Sequence, residues 1–126
     1  MSTNEITVLM VEPGKYPRVT KLNDDLDSLQ KAVSIGADYQ GLIEFVSLEN
    51  GDCIMCNEEG KLIGLEGNRR VGDDILVGVF YIMSENKDGE LVSLTDQKIK
   101  RYTEAFWVPE SFDSAEIENT VYGRFY

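Results

Sequence analysis

The residues best suited to chemistry lie between Cys53 and Arg70, in the stretch CIMCNEEGKLIGLEGNRR. In its second half, two glycines would let a ligand approach the backbone closely, and the amide of Asn68 can donate and accept hydrogen bonds. Arg69 adds a planar guanidinium suited to a carboxylate or a phosphate. An exposed loop whose arginines pair with nearby acids would produce the same pattern. The residues predicted to bind a ligand are Asn57, Lys61, Asn68 and Arg69.

The two cysteines, Cys53 and Cys56, have the spacing of a metal-binding or disulfide-forming pair. We predict that they lie in a strand, where side chains three residues apart point to opposite faces and cannot chelate one ion or join in a disulfide. A zinc site would also need two further soft ligands, and the chain has no histidine. We therefore expect reduced core thiols, no metal and no cofactor.

An acid–base set is the catalytic arrangement that this stretch could form. Glu58 or Glu59 with Lys61 could transfer protons without histidine. Three charged residues in a polar segment are also typical of a simple turn. We predict no catalytic residue, and a protein that is not an enzyme.

The chain is acidic, with 12 Lys and Arg against 23 Asp and Glu and a formal net charge of -11. Such a surface repels phosphate, so unspecific binding to nucleic acid or an anionic membrane is not expected. It would suit a basic partner, or it would simply keep the protein soluble. The N-terminus lacks the basic region of a signal peptide, and no run approaches the ~20 apolar residues of a membrane span. We expect a cytoplasmic protein.

The elements that would position these residues begin with two strands and a helix. Residues 6–12 form an apolar, β-branched run typical of a central strand covered on both faces. A type II turn at Glu12–Lys15 leads into a more exposed strand at 18–22, near an edge of the sheet. A helix is expected over residues 26–34. Its apolar stripe would consist of Leu26, Leu29 and Val33.

The middle of the chain is predicted to alternate strands with tight turns. Residues 39–48 alternate apolar and polar side chains, so that Ile43 and Phe45 share a buried face. Asn50-Gly51 favours a tight turn into the strand that carries both cysteines.

Two further strands are predicted on either side of the glycine-bracketed segment. Residues 57–60 are expected to turn with Gly60 in the left-handed region, so that residues 61–65 return as a strand. Residues 75–83 are the most apolar run and are predicted as one long strand. Gly78 inside this run indicates a bulge or a close packing contact.

Towards the C-terminus, a hairpin loop at 85–89 should lead into a short strand at 90–93. Ser93 or Thr95 can cap a helix from Asp96 to about Phe106. The apolar side of this helix would carry Ile99, Tyr102 and Phe106. Its basic residues are expected to form a solvated face: Lys98, Lys100 and Arg101.

Residues 107–126 form an extension rich in acids and aromatic residues. A disordered tail would rarely keep so many aromatic side chains. We expect residues 119–126 to form a further strand or to lie against the domain. The aromatic side chains predicted to contact a partner, or a second copy of the chain, are Tyr122, Phe125 and Tyr126.

Together these elements predict one α+β domain over residues 1–106, with the extension 107–126 packed on the domain or on a partner. The sheet should contain five to seven mostly antiparallel strands, twisted or partly closed into a barrel. The helices near 25–35 and 95–106 should pack on it.

Several blocks of sequence carry a resemblance to one family. The blocks are Glu12–Lys15 (EPGK), Leu26 with Leu29-Gln30, Cys56–Lys61 (CNEEGK), Gly64-Leu65 with Asn68-Arg69, and Gly89-Glu90 with Ser93-Leu94. Over roughly residues 6–106 the chain resembles an uncharacterised domain family of phages, conjugative plasmids and integrated elements of Gram-positive bacteria. The resemblance implies a mobile-element origin and the company of antirestriction genes, rather than a reaction.

Three classes of function remain as hypotheses. The first is a non-enzymatic counter-defence protein that sequesters a nucleotide-like phosphorylated ligand or occupies a host defence protein. The second is a DNA mimic, whose carboxylates imitate phosphates and block a host DNA-binding enzyme with an affinity that falls steeply with salt. The third is an enzyme that uses the acid–base set. We favour the first.

Overall fold

In the computed structural model, the backbone is described for residues 4–123 and the side chains for residues 4–120. The elements in this range, in chain order, are β1 (Glu5–Val11), β2 (Arg18–Asn23), α1 (Leu26–Ala32), β3 (Ile43–Ser47), β4 (Asp52–Asn57), β5 (Gly67–Val71), β6 (Asp74–Val77), β7 (Phe80–Glu85), β8 (Leu91–Val92), α2 (Asp96–Ala105) and α3 (Ser114–Gly123). Phe125, Tyr126 and the side chain of Tyr122 lie outside the described residues.

Six of the strands form an open antiparallel sheet in the order β2-β1-β7-β4-β3, with β8 paired to β7. β5 and β6 pair as a separate two-stranded sheet. The predicted α+β class with a mostly antiparallel sheet is confirmed, and the sheet is open rather than closed into a barrel. None of the helices formed by the described residues is long and apolar enough to cross a membrane.

β1 is an interior strand with both faces covered, as its apolar run predicts. Ile6, Val8 and Met10 contribute to a core that also contains Leu29 of α1. The residues between them face the other way, because successive side chains in a strand alternate. Leu9 and Val11 pack in a second core with residues of α2.

Side chains also alternate between the two faces along β4, and this alternation places the two cysteines. Cys53 and Met55 lie in the core on the α1 side, whereas Ile54 and Cys56 lie in the core on the α2 side. Both thiols are free and buried. The prediction that the cysteines lie on opposite faces of a strand is confirmed.

α1 begins after Asp25, whose carboxylate accepts a hydrogen bond from the amide of Ser28 at 2.8 Å. Leu29 and Val33 are buried, but Leu26 is 67% exposed, so the predicted stripe is wrong at Leu26. Leu26 is the first helical residue, and the helix packs on the sheet only from Leu29 onward.

The predicted buried face of β3 is also wrong at one residue. Ile43 packs against the core on the α1 side, but Phe45 is 48% exposed. Among the described strands, β3 is the last of the sheet, and none of them covers its outer side. The Asn50-Gly51 turn into β4 is confirmed, with both residues at positive φ.

The segment between β4 and β5 is not the strand predicted for residues 61–65. The amide of Ile63 donates to the carbonyl of Glu59, which starts a helical turn. The amide of Leu65 then donates to Gly60 O, and that of Gly64 to Lys61 O, which is the Schellman pattern that ends a helix. This pattern requires a left-handed residue at Gly64 (φ 75°), rather than at Gly60 as predicted.

The apolar run predicted as one strand over residues 75–83 is two strands in different sheets. Gly78 (φ 69°) turns the chain between β6 and β7, and its amide donates to Glu66 O at 2.7 Å. A Cβ added at Gly78 would lie 2.7 Å from Leu65 Cδ1, so the predicted close packing contact is confirmed. An apolar run by itself does not reveal a change of sheet.

α2 begins as predicted, with the Thr95 hydroxyl accepting from the amide of Lys98. Its predicted apolar side, Ile99, Tyr102 and Phe106, packs in the core on the α2 side. The helix therefore covers the face of the sheet opposite α1.

Of the two alternatives predicted for residues 119–126, a further strand or a segment lying against the domain, the strand is wrong over 119–123, because these residues belong to α3. Asp113 and Glu116 form a reciprocal capping box: each carboxylate accepts the backbone amide of the other residue. Ile117 packs against a small core of Leu65, Ile75 and Val77. This cap three residues apart in the sequence was the signal for a helix.

Candidate functional site

A cleft of about 400 Å³ opens between the β3–β4 hairpin, the turns of residues 58–64 and β6. We refer to it as the acidic cleft. Its lining residues are Glu44, Cys56, Asn57, Glu58, Lys61, Leu62, Asp74, Ile75, Leu76 and Val77.

The acidic cleft combines apolar walls with charged groups of mainly one sign. Cys56, Leu76 and Val77 contribute the buried apolar part. The charged residues are three acids, Glu44, Glu58 and Asp74, and one base, Lys61. This arrangement favours a ligand with an apolar stem and a cationic head, and it disfavours a phosphate.

Lys61 is held by protein groups rather than presented to a ligand. Its ammonium group donates to the carboxylate of Asp74 and, at 2.9 Å, to the hydroxyl of Thr120. Its side chain is only 12% exposed. Asp74 also accepts the amide of Ile75 at 2.8 Å. Among the described residues, the only positive charge lining the acidic cleft is therefore already neutralised by an adjacent acid.

A second cavity of about 570 Å³ adjoins the acidic cleft, and Asp74 lines both. Its lining residues are Arg70, Val71, Asp73, Asp74, Glu116, Asn119 and Thr120. The hydrogen bond from Lys61 to Thr120 connects the acidic cleft to α3, so Lys61 and Asp74 lie where the two cavities meet.

Asn57, the second predicted ligand-binding residue in the acidic cleft, is also engaged. Its side-chain amide donates to Val33 O at 3.2 Å and accepts from the amide of Glu59 at 2.9 Å. A Cβ added at Gly41 would lie 2.7 Å from the Asn57 amide nitrogen, so the neighbouring chain packs tightly on this side chain. Asn57 shapes the turn that carries Glu58 to the cleft.

The other two predicted residues, Asn68 and Arg69, line neither cavity. β5 has a register shift between Gly67 and Arg69, which inserts Asn68 as an extra residue. A bulge of this kind lets neighbouring side chains leave the usual alternation. Asn68 and Arg69 are both almost completely buried, with 0% and 1% exposure.

These two side chains join separate parts of the fold. The amide of Asn68 donates to Val11 O and Gly78 O at 2.9 and 2.8 Å, and its oxygen accepts from the Arg69 guanidinium. Arg69 also donates to the backbone carbonyls of Lys15 and Phe106, at 2.7 and 3.1 Å. The pair thereby ties the small sheet to β1 and to the end of α2.

Within residues 4–120, whose side chains are described, Arg69 donates to no carboxylate. Burial lowers its pKa, and the charge of Glu110 partly opposes this shift. The guanidinium contacts the carbonyl just beyond the C-terminal end of α2, where the helix dipole favours a positive charge. Helix and turn carbonyls take the place of the carboxylate or phosphate that the sequence predicts as a ligand of Arg69.

The comparison with protein families matches residues 6–107 to a domain of unknown function, DUF3846. The chain belongs to the DUF3846 family. The predicted membership of an uncharacterised domain family is thus confirmed over nearly the predicted range. No match to the chain was found among curated proteins or among solved structures.

The residues matched to DUF3846 include the whole lining of one cavity and only part of the lining of the other. All residues that line the acidic cleft, from Glu44 to Val77, lie inside the matched residues 6–107. The wall of the second cavity formed by Glu116, Asn119 and Thr120 lies beyond the match. The acidic cleft is therefore built entirely from the DUF3846 domain, whereas α3 adds the outer wall of its neighbour.

The acid–base set considered from the sequence is not assembled. The carboxylate of Glu59 accepts a hydrogen bond from the hydroxyl of Tyr39 at 2.6 Å, away from Lys61. In the described part of the chain, neither Glu58 nor Glu59 pairs with Lys61, which binds Asp74 instead. The described residues also contain no group of three or more His, Cys, Asp or Glu side chains placed to hold a metal ion.

Sequence reasoning missed a buried polar cluster at the opposite end of β4. The fully buried carboxylate of Asp52 accepts hydrogen bonds from Lys98, Ser84 and Tyr102. Lys98 therefore turns inward, contrary to the predicted solvated face. No cavity described above borders this cluster, so we assign it to stability. The available signal was the i, i+4 spacing of Lys98 and Tyr102, which places them on one side of α2.

Charged hydrogen bonds determine the ionisation of this cluster. Burial alone would raise the pKa of Asp52, but the bonds from Lys98, Tyr102 and Ser84 outweigh it and hold that pKa below its ordinary value. Burial and the bond to Asp52 raise the pKa of Tyr102 to about 12. The carboxylate is thus ionised and the phenol neutral over the physiological range.

The residues that give the acidic cleft its character were also missed, because they come from distant segments. Glu44 lies on β3, and Asp74 and Leu76 lie on β6 of the other sheet. The prediction that Tyr122, Phe125 and Tyr126 contact a partner falls outside the described side chains.

Proposed function

We propose that this protein is a non-enzymatic binding module whose acidic cleft accepts a basic side chain of a protein partner. The observation that carries the proposal is the combination of apolar walls at Cys56, Leu76 and Val77 with an excess of carboxylates over ammonium groups. Lysine and arginine side chains fit such a site, since each has an apolar stem and a cationic head.

Charge favours a protein partner over a nucleotide-like ligand. A phosphate in the acidic cleft would face Glu44 and Glu58, while the ammonium of Lys61 already binds Asp74. The guanidinium of Arg69 is buried and committed to carbonyl oxygens. The net charge of -11 adds a long-range repulsion of phosphate and an attraction for basic surfaces.

For the biological setting, we propose counter-defence in the cytoplasm of a bacterial host. The support is the resemblance to domains of phages and other mobile elements that accompany antirestriction genes. In this setting the protein occupies a host defence protein through a basic segment of that protein.

A DNA mimic remains the alternative, and it rests on the same net charge. It needs rows of carboxylates that imitate phosphates, but it has no use for a cleft with apolar walls. Competition separates the two: a mimic is displaced from its target by duplex DNA, whereas a partner bound through the acidic cleft is released by changes at the cleft.

The first test is a thermal-shift titration with two opposed probes. The cationic probe is the peptide acetyl-Leu-Lys-Leu-amide, and the anionic probe is a cyclic dinucleotide. At ten times its dissociation constant, a probe that binds only the folded state stabilises it by about 1.4 kcal/mol, or roughly 5 °C. We expect this shift for the peptide and none for the dinucleotide.

Two variants with the same chemical change locate the binding. Glu58→Gln removes a carboxylate from the acidic cleft, whereas Glu118→Gln removes an exposed one from α3 that lines neither cavity. We expect the peptide shift to fall in Glu58→Gln and to persist in Glu118→Gln. A shift caused by the dinucleotide, or equal losses in the two variants, would contradict the proposal.

The cellular counterpart uses the same variants. Expression of the wild-type protein in hosts that carry defence systems should raise the plating efficiency of a phage that one of those systems restricts, and Glu58→Gln should not. If the protein does not raise the plating efficiency in any of these hosts, the counter-defence role is contradicted, while the binding result stands.

A further inference from the structure

Two aromatic rings stack on each other at the protein surface. The ring centroids of Tyr16 and Trp107 are 4.4 Å apart, with an angle of 22° between their planes. The two residues are 57% and 48% exposed. We refer to this pair as the aromatic platform. Each ring covers one face of the other, so the outer faces are left for contact with another molecule.

Arg69 binds the two chain segments that carry the aromatic platform. This guanidinium donates to the carbonyls of Lys15 and Phe106, which immediately precede the two stacked residues. A buried cation bonded only to neutral groups is costly to keep. Here it fixes the relative position of two chain segments that are far apart in sequence.

The backbone on each side of the platform is also anchored. Before Tyr16, the turn closes with a hydrogen bond from Lys15 N to Glu12 O at 3.2 Å. Before Trp107, the ring of Phe106 packs edge-on against Phe80 in the core, with centroids 5.4 Å apart. The platform is therefore formed before any partner arrives, which reduces the entropy lost on binding.

A groove of about 500 Å³ runs along α2 to this platform and is lined by Lys100, Thr103, Glu104 and Trp107. Among the described residues, neither Lys100 nor Glu104 takes part in an ion pair. The carboxylate of Glu104 lies one helical turn before the indole. An acid beside an exposed aromatic face is the arrangement that suits a cation with a flat surface.

We infer that the aromatic platform and Glu104 form a binding site for an arginine side chain of a basic partner protein. The guanidinium stacks on the open face of Trp107 and pairs with the carboxylate of Glu104. A nucleobase could also stack on the indole, with its phosphate near Lys100, but the net charge of -11 opposes it. The inference rests on the proposed function in one respect, since the basic partner is taken to be the same.

Trp107 is the only tryptophan of the chain, so its fluorescence reports directly on the platform. The probe is the peptide acetyl-Gly-Arg-Gly-Arg-Gly-amide at low salt, compared with peptides in which lysine or citrulline replaces arginine. We expect a saturable change with the arginine peptide, with an affinity about two- to fivefold above that of the lysine peptide. The citrulline peptide should cause no change. Equal affinities for the arginine and lysine peptides would overturn the inference.

Substitutions in the groove separate arginine from nucleotide binding. Glu104→Gln should weaken the arginine peptide about two- to fivefold, and Lys100→Gln should strengthen it slightly by removing a repulsion. If adenosine monophosphate changes the fluorescence and Lys100→Gln abolishes that change, the platform is a nucleotide site and the inference is wrong.

Further variants separate the platform from the acidic cleft and from misfolding. Tyr16→Leu alters an exposed residue and should weaken the peptide without lowering the melting temperature appreciably. Glu58→Gln should leave the fluorescence titration unchanged. If Glu58→Gln weakens the peptide as much as Glu104→Gln does, the peptide responds to overall charge and the inference fails. If Glu104→Gln weakens it and Glu58→Gln does not, the inference stands even where the acidic cleft binds nothing.

Discussion

The carboxylate of Asp52 is the clearest case of a single residue that holds elements together. It lies at the start of β4 and accepts hydrogen bonds from β7 through Ser84 and from α2 through Lys98 and Tyr102. Asp52 itself is inaccessible, while Lys98 remains 27% exposed. The cluster therefore fixes the helix on the sheet without placing an unpaired charge in the core.

We predict that Asp52→Asn lowers the free energy of unfolding at pH 7 by about 2 kcal/mol, because hydrogen bonds to a charged acceptor become bonds to a neutral one. The folded-state pKa of Asp52 lies below its ordinary value of 3.8. Its stabilisation is thus present above this value and is lost as the pH falls through the folded-state pKa.

Urea unfolding at several pH values measures the effect. The difference between wild type and Asp52→Asn should be largest near pH 7 and shrink below about pH 4. Asp88→Asn, at an exposed hairpin residue, is the matched control and should change stability little at any pH. A difference between wild type and Asp52→Asn that stays constant with pH would contradict the assigned role of the charge.

For single residues, the sequence correctly indicated which hydrogen bonds a side chain can make, but not which partners it binds. Asn68 and Arg69 do have the donors that the sequence indicated. They use them on carbonyl oxygens of Val11, Gly78 and Phe106, which no local pattern brings together. A polar run such as Asn68–Arg70 reads as an exposed loop, because the bulge that turns two of its side chains inward has no signature in hydrophobic periodicity.

Among the elements, the connection between β6 and β7 decides how the two sheets meet. Gly78 takes up a left-handed backbone conformation, and the side chain of Leu65 occupies the space that a Cβ at this position would need. The acidic cleft depends on this connection, because β6 supplies one of its walls.

We predict that Gly78→Ala destabilises the protein by about 2–4 kcal/mol, since a Cβ adds backbone strain and an overlap with the Leu65 side chain at 2.7 Å. Gly72→Ala provides the matched control. Gly72 also has a positive φ, of 60°, but nothing lies within 4 Å of its added Cβ, so about 1 kcal/mol is expected there.

The measurement is the free energy of unfolding of both variants by chemical denaturation. The difference between them isolates the packing contribution from the backbone contribution. Equal losses in the two variants would show that Leu65 moves aside without cost and that packing at Gly78 is unimportant.

For the molecule as a whole, the net charge of -11 is the dominant electrostatic feature. Of the six ion pairs among the described residues, two join side chains that are both exposed, Lys31 with Asp27 and Lys21 with Glu5. Exposed pairs of this kind contribute little to stability. Mutual repulsion among the acids should therefore outweigh them.

We predict that the melting temperature rises by a few degrees between ~10 and ~150 mM NaCl, because salt screens the repulsion over distances near the Debye length. Differential scanning calorimetry at neutral pH measures this change. Sodium gluconate at equal ionic strength is the control for specific chloride effects. A melting temperature that falls with salt would mean that the ion pairs, rather than the repulsion, dominate.

The sequence by itself determined most of the strands, the first two helices and the placement of the cysteines. These are consequences of side-chain periodicity, of caps such as Asp25 and Thr95, and of turns such as Asn50-Gly51, all of which act between residues close in the chain. The lack of histidine and the excess of Asp and Glu over Lys and Arg are also read directly from the sequence, and they limit which chemistry the protein can perform.

Only the tertiary structure decided where the polar residues are used. Asp52 and Lys98 are 46 positions apart, and Arg69 and Lys15 are 54 apart. The acidic cleft joins β3 and β4 to a strand of the other sheet, and the aromatic platform joins a turn after β1 to the end of α2. Contacts over such separations depend on how the elements pack, and no local pattern of residues records that packing.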